Sequence, residues 1–174
     1  MENPRLRSPQ RLSELLNFRL QSLYALSGAP VVRILEGRYG ITRREWRLLA
    51  WLAEKGPLSP SDLALSSQLD RARTSRAIGA LVTKGLASRT LAPHDPRRAL
   101  VALTPEGQRL YAQVFPEVAG IHAQLVEVLD DAQLQTLDAI LTLLTTQART
   151  LNERVATDIK AQRQAGGSRR VRGG

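Results

Sequence analysis

Arginines at 71, 73 and 76, in the run Leu69-Asp70-Arg71-Ala72-Arg73-Thr74-Ser75-Arg76-Ala77, are the residues best suited to chemistry with a partner. A guanidinium presents a planar fork of donors that matches a phosphate or the O6/N7 edge of guanine. A helix capped by Asp70, at about 100° per residue, turns Ile78, Leu81, Val82 and Thr74 inward. It turns Arg73, Arg76, Ala77, Ala80, Thr83 and Lys84 outward and leaves Arg71 in the first turn. Small residues beside the arginines let the backbone approach a groove wall. Base reading is expected from Arg73 and Arg76, with Thr74 and Ser75 as supporting donors, and phosphate contacts from Ser59, Ser61 and Arg71. The plain alternative is a solvated helical face.

Composition points the same way. The chain of 174 residues is long enough for one substantial core, and 25 Lys+Arg against 16 Asp+Glu give a formal charge of +9. Such a balance favours a polyanion, either nucleic acid or an anionic membrane surface. No apolar run approaches the roughly 20 residues that span a bilayer, and no signal peptide is evident, so a cytoplasmic protein with no membrane partner is expected. The absence of cysteine excludes disulfides and thiolate chemistry, and only His94 and His122 are present, far apart. No nucleophile, base and orienting group stand at a persuasive spacing, and no phosphate-binding glycine motif occurs. An enzyme is therefore not expected, nor a metal or cofactor.

The flanking pattern supplies the elements that would hold these arginines. Ser8-Pro9 predicts a helix start, with Leu12, Leu16, Leu20, Leu23 and Leu26 as its stripe up to a break at Ser27-Gly28. A shorter helix is predicted from Ala29 to about Arg38, closed by Gly40. Thr42 and Glu45 have capping-box spacing, and the following helix presents Trp46, Leu49, Leu52 and Ala53 to a core. Ser59-Pro60 starts a short helix ending near Ser66. Asp70 to about Lys84 is the second member of a helix-turn-helix, with Gly85 as its stop. Strands are predicted at 87–91 and 99–103, joined by a turn over 92–98. Thr104-Pro105 begins a long helix, kinked at Pro116. Asp130 begins another, whose Leu134, Leu137, Leu141, Leu144, Ala148, Leu151 and Val155 form a heptad-like seam. From Lys160 the chain is basic and Gly-rich, and disorder is expected.

Asp95-Pro96-Arg97-Arg98-Ala99-Leu100-Val101-Ala102-Leu103-Thr104-Pro105-Glu106-Gly107 resembles the Asp-x-Arg-x-x-x-Val-x-Leu-Thr-x-x-Gly signature of the MarR family of bacterial regulators. Gly85-Leu86-Ala87-Ser88-Arg89 is similar to that family's Gly-Leu-Val-x-Arg segment. The similarity covers about residues 8–155. It implies a mainly α fold with a small β-wing, a winged helix-turn-helix plus a helical dimerisation domain made by both ends of the chain. On that reading, residues 1–40 and 105–158 hold the dimer helices, 41–104 the DNA-binding domain and 159–174 a basic tail. It further implies a homodimer, a double-stranded DNA operator, and a small aromatic carboxylate or phenol that lowers operator affinity. By the same resemblance Arg97 or Arg98 enters the minor groove, and Asp95 holds an arginine in position. The middle position of Asp95-Pro96-Arg97 is often Arg or Lys in the family; proline here leaves the wing one cation poorer. The stretch from Glu36 to Arg47 resembles a subgroup associated with aromatic-acid catabolism genes.

Two recognition helices must reach successive major grooves about 34–36 Å apart, which requires a dimer and a pseudo-palindromic site. An aromatic carboxylate needs a flat apolar slot and a cation. Arg19, Tyr24, Arg33, Tyr39 and Trp46 lie on the segments where such a pocket would form, although core packing is the favoured role for Trp46. The expected protein is thus a ligand-responsive homodimeric repressor. The alternatives are an architectural DNA-binding protein without an effector and a helical protein-interaction module that binds no DNA.

Overall fold

The structure, a computed structural model, describes residues 6–92 and 95–158; the side chains of residues 92, 95–98 and 158 lie outside that description. The expectations for His94, for the wing side chains of Asp95, Arg97 and Arg98, and for the basic tail therefore fall on residues or side chains outside it. Among the described residues are six α-helices and one two-stranded sheet: α1 (Leu16–Arg38), α2 (Arg43–Lys55), α3 (Pro60–Ser66), α4 (Arg71–Thr83), β1 (Ala87–Ala92), β2 (Asp95–Leu103), α5 (Pro105–Val126) and α6 (Asp131–Asp158).

Local capping chemistry sets most of these boundaries. Thr42 Oγ1 accepts from the Glu45 amide at 3.3 Å and the Glu45 carboxylate accepts from the Thr42 amide at 2.6 Å, closing the capping box of α2. Ser59, Asp70 and Thr104 cap α3, α4 and α5 in the same N-terminal sense. Asp130 and Gln133 exchange two bonds at the start of α6. Gly40 and Gly85 take φ of +61° and +69°, the left-handed turns that end α1 and α4.

The first helix departs from expectation at both ends of its predicted break. It is one helix of 23 residues running through Ser27, Gly28 and Pro30. Gly28 is buried because Arg43 of α2 packs against it, so the glycine marks a close approach and not a stop. Pro30 deprives the Leu26 carbonyl of its amide where both residues are exposed, so water can take the bond. At the N-terminus, a 3-10 turn at Leu12–Glu14 precedes α1, and the Glu14 carboxylate accepts from the Gln10 and Arg11 amides; the helix does not begin at Ser8.

The sheet also extends further than predicted. β2 begins at Asp95, paired with Ala92, and the register shifts between Leu91 and Ala92. Pairing thus runs into the stretch read as a 92–98 turn. Leu58 and Val101 exchange backbone bonds of 3.0 and 2.8 Å, tying the α2–α3 loop to the base of the wing.

The main core unites Leu48, Leu49 and Leu52 of α2, Leu63 of α3, Ala77, Ile78 and Leu81 of α4, Ala87 and Val101. Leu48 replaces Ala53 as a principal buried residue of α2, and Trp46 is half-buried. On α4 the buried arc is centred near Thr74 and Leu81. Ala77 therefore falls inside it, whereas Val82, expected inward, is 38% exposed. Leu35, Ile41 and Val114 form a second cluster joining α1 to α5. In α5 helical structure continues through Pro116. Among the described side chains of α6 none is buried, and Leu137, Ile140, Leu141, Leu143, Leu144, Leu151 and Val155 of its stripe are exposed in the single chain.

Candidate nucleic-acid interface and adjoining cleft

Helix α4 is seated from below and open above. Its buried face enters the main core. Asp70 accepts the Arg73 amide at 2.6 Å, and its other carboxylate oxygen lies 3.5 Å from Arg73 Nε. Arg71, Arg73, Ser75 and Arg76 are exposed. Thr74, expected as a donor to DNA, is instead 1% exposed and donates to the Asp70 carbonyl at 2.8 Å. Its role is internal: it satisfies its hydroxyl within the helix while filling the core.

Lys84, outward on the helical wheel, is also committed to the protein. Its ammonium donates to both Glu45 oxygens at 2.9 Å and to the Gly40 carbonyl at 2.8 Å. Glu45 is buried, so this bond compensates a carboxylate removed from water. It locks the C-terminal end of α4 to the α1–α2 junction. The Ser59 hydroxyl is likewise engaged, donating to Asp62 Oδ2 at 2.7 Å and accepting the Asp62 amide at 3.1 Å. Ser61 is exposed. On β1, Arg89 and Thr90 are also exposed; Arg89 belongs to the family-like segment and carries no role in the sequence reading.

Behind the helix-turn-helix lies a cleft of about 320 Å³ between α1, α2 and α5. Tyr24, Arg43, Trp46, Arg47, Trp51 and Glu54 are among its lining residues. Tyr24 and Trp46 were singled out from the sequence; Arg19, Arg33 and Tyr39 do not line it. The two cations that do, Arg43 and Arg47, were missed because their position depends on α1 crossing α2, a contact with no local sequence signature.

Arg43 stacks its guanidinium 4.0 Å from the Tyr24 ring centre. Gly28 makes room for it, since a Cβ there would stand 2.4 Å from Arg43 Nη2. Arg47 donates from Nη2 to the Tyr24 hydroxyl at 2.7 Å and from Nη1 to the Ser67 carbonyl at 3.1 Å. Trp46, which lines the cleft, stacks on Tyr111, which in turn meets Phe115. Burial, reinforced by the Glu54 charge, pushes the Tyr111 phenol above its ordinary pKa, so it stays neutral.

Tyr39 has a different task. Its hydroxyl and Arg38 Nη1 both donate to Glu117 of α5, each at 2.5 Å. These bonds hold the Glu117 carboxyl below its usual range and raise both donors. The cluster fastens the end of α1 to α5 and takes Tyr39 out of the ligand set.

A capped helix-turn-helix, a two-stranded wing and a basic exposed face on the second helix define a winged-helix DNA-binding regulator. Residues 39–98 match the family model described as "MarR family". The HTH-type transcriptional regulator FarR of Neisseria gonorrhoeae is 33% identical over 101 residues, 58% of this chain and 69% of the relative. The homoprotocatechuate degradative operon repressor of Escherichia coli is 26% identical over 112 residues, 64% of this chain and 73% of the relative. The crystal structure of NadR in complex with 4-hydroxyphenylacetate is similar with a TM-score of 0.67 and 29% identity, covering 78% of this chain and 95% of that one.

The chain belongs to the MarR family and is a transcriptional regulator, not an enzyme. No helix among the described residues is long and apolar enough to cross a membrane.

Proposed function

We propose that this regulator is a cytoplasmic homodimeric repressor that binds a pseudo-palindromic operator and is released by a small aromatic acid or phenol. The observation that carries the ligand-responsive reading is the cleft: two guanidiniums and one carboxylate, Glu54, beside aromatic side chains on α2, the helix that packs against the recognition helix. An aryl ring fits against such side chains, and a carboxylate or phenolate is drawn by the cationic excess. The binding of 4-hydroxyphenylacetate by NadR is consistent with that chemistry, and the repressor of a homoprotocatechuate operon is consistent with the sign.

In this scheme Arg73 and Arg76 read bases, while Arg71 and Ser61 hold phosphates, with Ser75 as a supporting donor. Ser59 acts through the cap of α3. Arg97 and Arg98 enter the minor groove from the wing, with Asp95 positioning an arginine. The domain division is 1–40 and 105–158 for dimer helices, 41–104 for DNA binding and 159–174 for a basic tail. The open apolar stripes of α1, α5 and α6 meet their counterparts on a second copy. Symmetric pairing places two α4 helices on one side of the duplex at the spacing of successive grooves.

Fluorescence anisotropy on DNA from the regulator's own upstream region, with and without 4-hydroxyphenylacetate, tests the proposal. Expected is salt-sensitive, sequence-preferring binding that weakens when the acid is added. Arg73→Ala relaxes base preference at one position of each half-site, by about 1–3 kcal/mol, whereas Arg71→Ala weakens all sequences alike. Poor sequence preference and indifference to a panel of aryl acids would instead identify an architectural DNA-binding protein.

A further inference from the structure

Resting on the cleft being the effector site, we infer that Arg47 is the residue that reports its occupancy to the DNA-binding unit, and that Tyr24 is the internal group an aryl carboxylate displaces. Arg47 is half-buried on α2 and faces two ways. One nitrogen reaches into the cleft and donates to the Tyr24 hydroxyl; the other donates to the carbonyl of Ser67. Ser67 is the C-cap of α3, the first residue of the turn leading into α4. The next residue, Gln68, has φ of +54°, a left-handed backbone that a side chain disfavours. The Ser67 hydroxyl is bonded back to the Leu63 carbonyl at 2.6 Å. The turn is therefore held in one conformation from two sides, and one of the holders is a side chain of the cleft wall.

Tyr24 occupies the cleft as an aryl ligand would. Its ring lies under the Arg43 guanidinium, and its hydroxyl sits on Arg47. Both interactions are of the kind an aromatic acid makes, but the hydroxyl is neutral. The bond to Tyr24 is charge-assisted on the donor side alone, whereas a carboxylate on the same nitrogen adds the opposite full charge and an ion pair, so it wins that position and draws the guanidinium further into the cleft. Tyr24 is about half-exposed and can swing outward. The planar fork moves as a unit, so a shift toward the cleft lengthens the bond to Ser67. That bond gone, the α3–α4 turn relaxes and the seating of Arg71 and Arg73 changes with it. The ligand class is a monoanionic aryl acid, since the cleft lining carries two cations, Arg43 and Arg47, against the single carboxylate of Glu54.

The test uses the full chain with 4-hydroxyphenylacetate and benzoate as probes, read by calorimetry for acid binding and by anisotropy for operator affinity. In the wild type, saturating acid is expected to weaken operator binding by about 5–150-fold, the usual range of allosteric coupling. Arg47→Lys keeps the charge but offers a single compact donor group that cannot bridge both acceptors. It is expected to bind the acid within about tenfold of wild type while the ratio of operator affinities falls below about 2. Tyr24→Phe removes the competing hydroxyl and is expected to bind acid about 3–10-fold tighter. The carbonyl carbon-13 resonance of Ser67 reads the same event without substitution and is expected to shift on saturation. An unchanged coupling ratio in Arg47→Lys, weaker acid binding by Tyr24→Phe, or a stationary Ser67 resonance in acid-saturated wild type overturns the role of Arg47 and leaves the effector site standing. Failure of both acids to bind the wild type removes the effector site and this inference together.

Discussion

The winged core and the terminal helices solve opposite problems with similar residues. Between Ile41 and Val114, Leu48, Leu49 and Leu52 of α2, Leu63 of α3, Ile78 and Leu81 of α4 and Val101 of the sheet are almost wholly buried in one chain. In α1 and α6 the same residue types stand in the open: Leu26 is 76% and Leu143 70% exposed. A helix whose apolar stripe finds no cover within its own chain offers a surface for an interface. Under the dimer proposed above, the contrast assigns the burial of the winged core to one chain and the cover of α1 and α6 to a second copy.

The sharpest way to break this comparison is to injure each side in turn. Ile78→Ala empties a fully buried site beside Leu48, Leu63 and Leu81, and is expected to lower the unfolding free energy by about 2–5 kcal/mol. Chemical denaturation measures it. Leu141→Glu with Leu144→Glu places charge on the α6 seam and is expected to give a monomer by analytical ultracentrifugation. That monomer should keep a cooperative unfolding transition. Its loss would show that the winged core depends on the partner after all, and a persistent dimer would place the interface elsewhere.

Two glycines sharpen the comparison on a finer scale. A Cβ at Gly107 would lie 2.0 Å from the Leu86 carbonyl oxygen, where backbone meets backbone and nothing flexible can yield. Gly107→Ala is thus expected to cost about 1–3 kcal/mol through forced separation of α5 from the β1 end. A Cβ at Gly28 meets only the guanidinium of Arg43, which can move. Gly28→Ala is expected to leave stability unchanged or raised by about 0.5–1 kcal/mol, while acid binding in the cleft weakens because the Arg43 guanidinium is pushed from the place where it would meet an aryl acid. Thermal melts and calorimetry separate the two outcomes. Equal destabilisation by both substitutions would mean that the cleft is as rigid as the core.

The same division governs what could be read from the sequence. Caps and stops were legible because Thr42 with Glu45, Asp70 and Asp130 with Gln133 act across three residues, and Gly40 and Gly85 act at one. The exposed Arg71, Arg73 and Arg76 followed from the wheel once Asp70 was fixed. Ala77 and Val82 exchanged places because the centre of the buried arc is set by α2 and α3, not by α4 itself. Ser27-Gly28 reads as a break because glycine that admits an arginine and glycine that ends a helix look alike without the partner. The cleft was half legible: Tyr24 and Trp46 were aromatic and conspicuous, but Arg43 and Arg47 gained meaning only when α1 lay across α2. Lys84 passed for a surface cation for the same reason, since Glu45 is 39 residues away.

The smallest effect is expected where two of the terminal helices, α1 and α5, are stitched together, at Arg38, Tyr39 and Glu117. The bonds from Tyr39 and Arg38 hold the Glu117 carboxyl below its ordinary value of 4.5, so its contribution is complete above 4.5 and fades as pH falls through the lowered value. Tyr39 is raised above its ordinary 10.0, first by the bond to Glu117, so its contribution is complete below 10.0 and fades as pH rises through the raised value. Between those limits both are present. Glu117→Gln, with a neutral amide in place of the carboxylate, should melt slightly below the wild type throughout that window. The gap should be on the order of 2 °C or less, because these groups face water and are screened. It should narrow below pH 4.5 as Glu117 protonates in the wild type, and again above pH 10. A gap that instead widened in acid would mean the carboxylate is a liability where it stands, and that α1 is held to α5 by the Leu35, Ile41 and Val114 cluster alone.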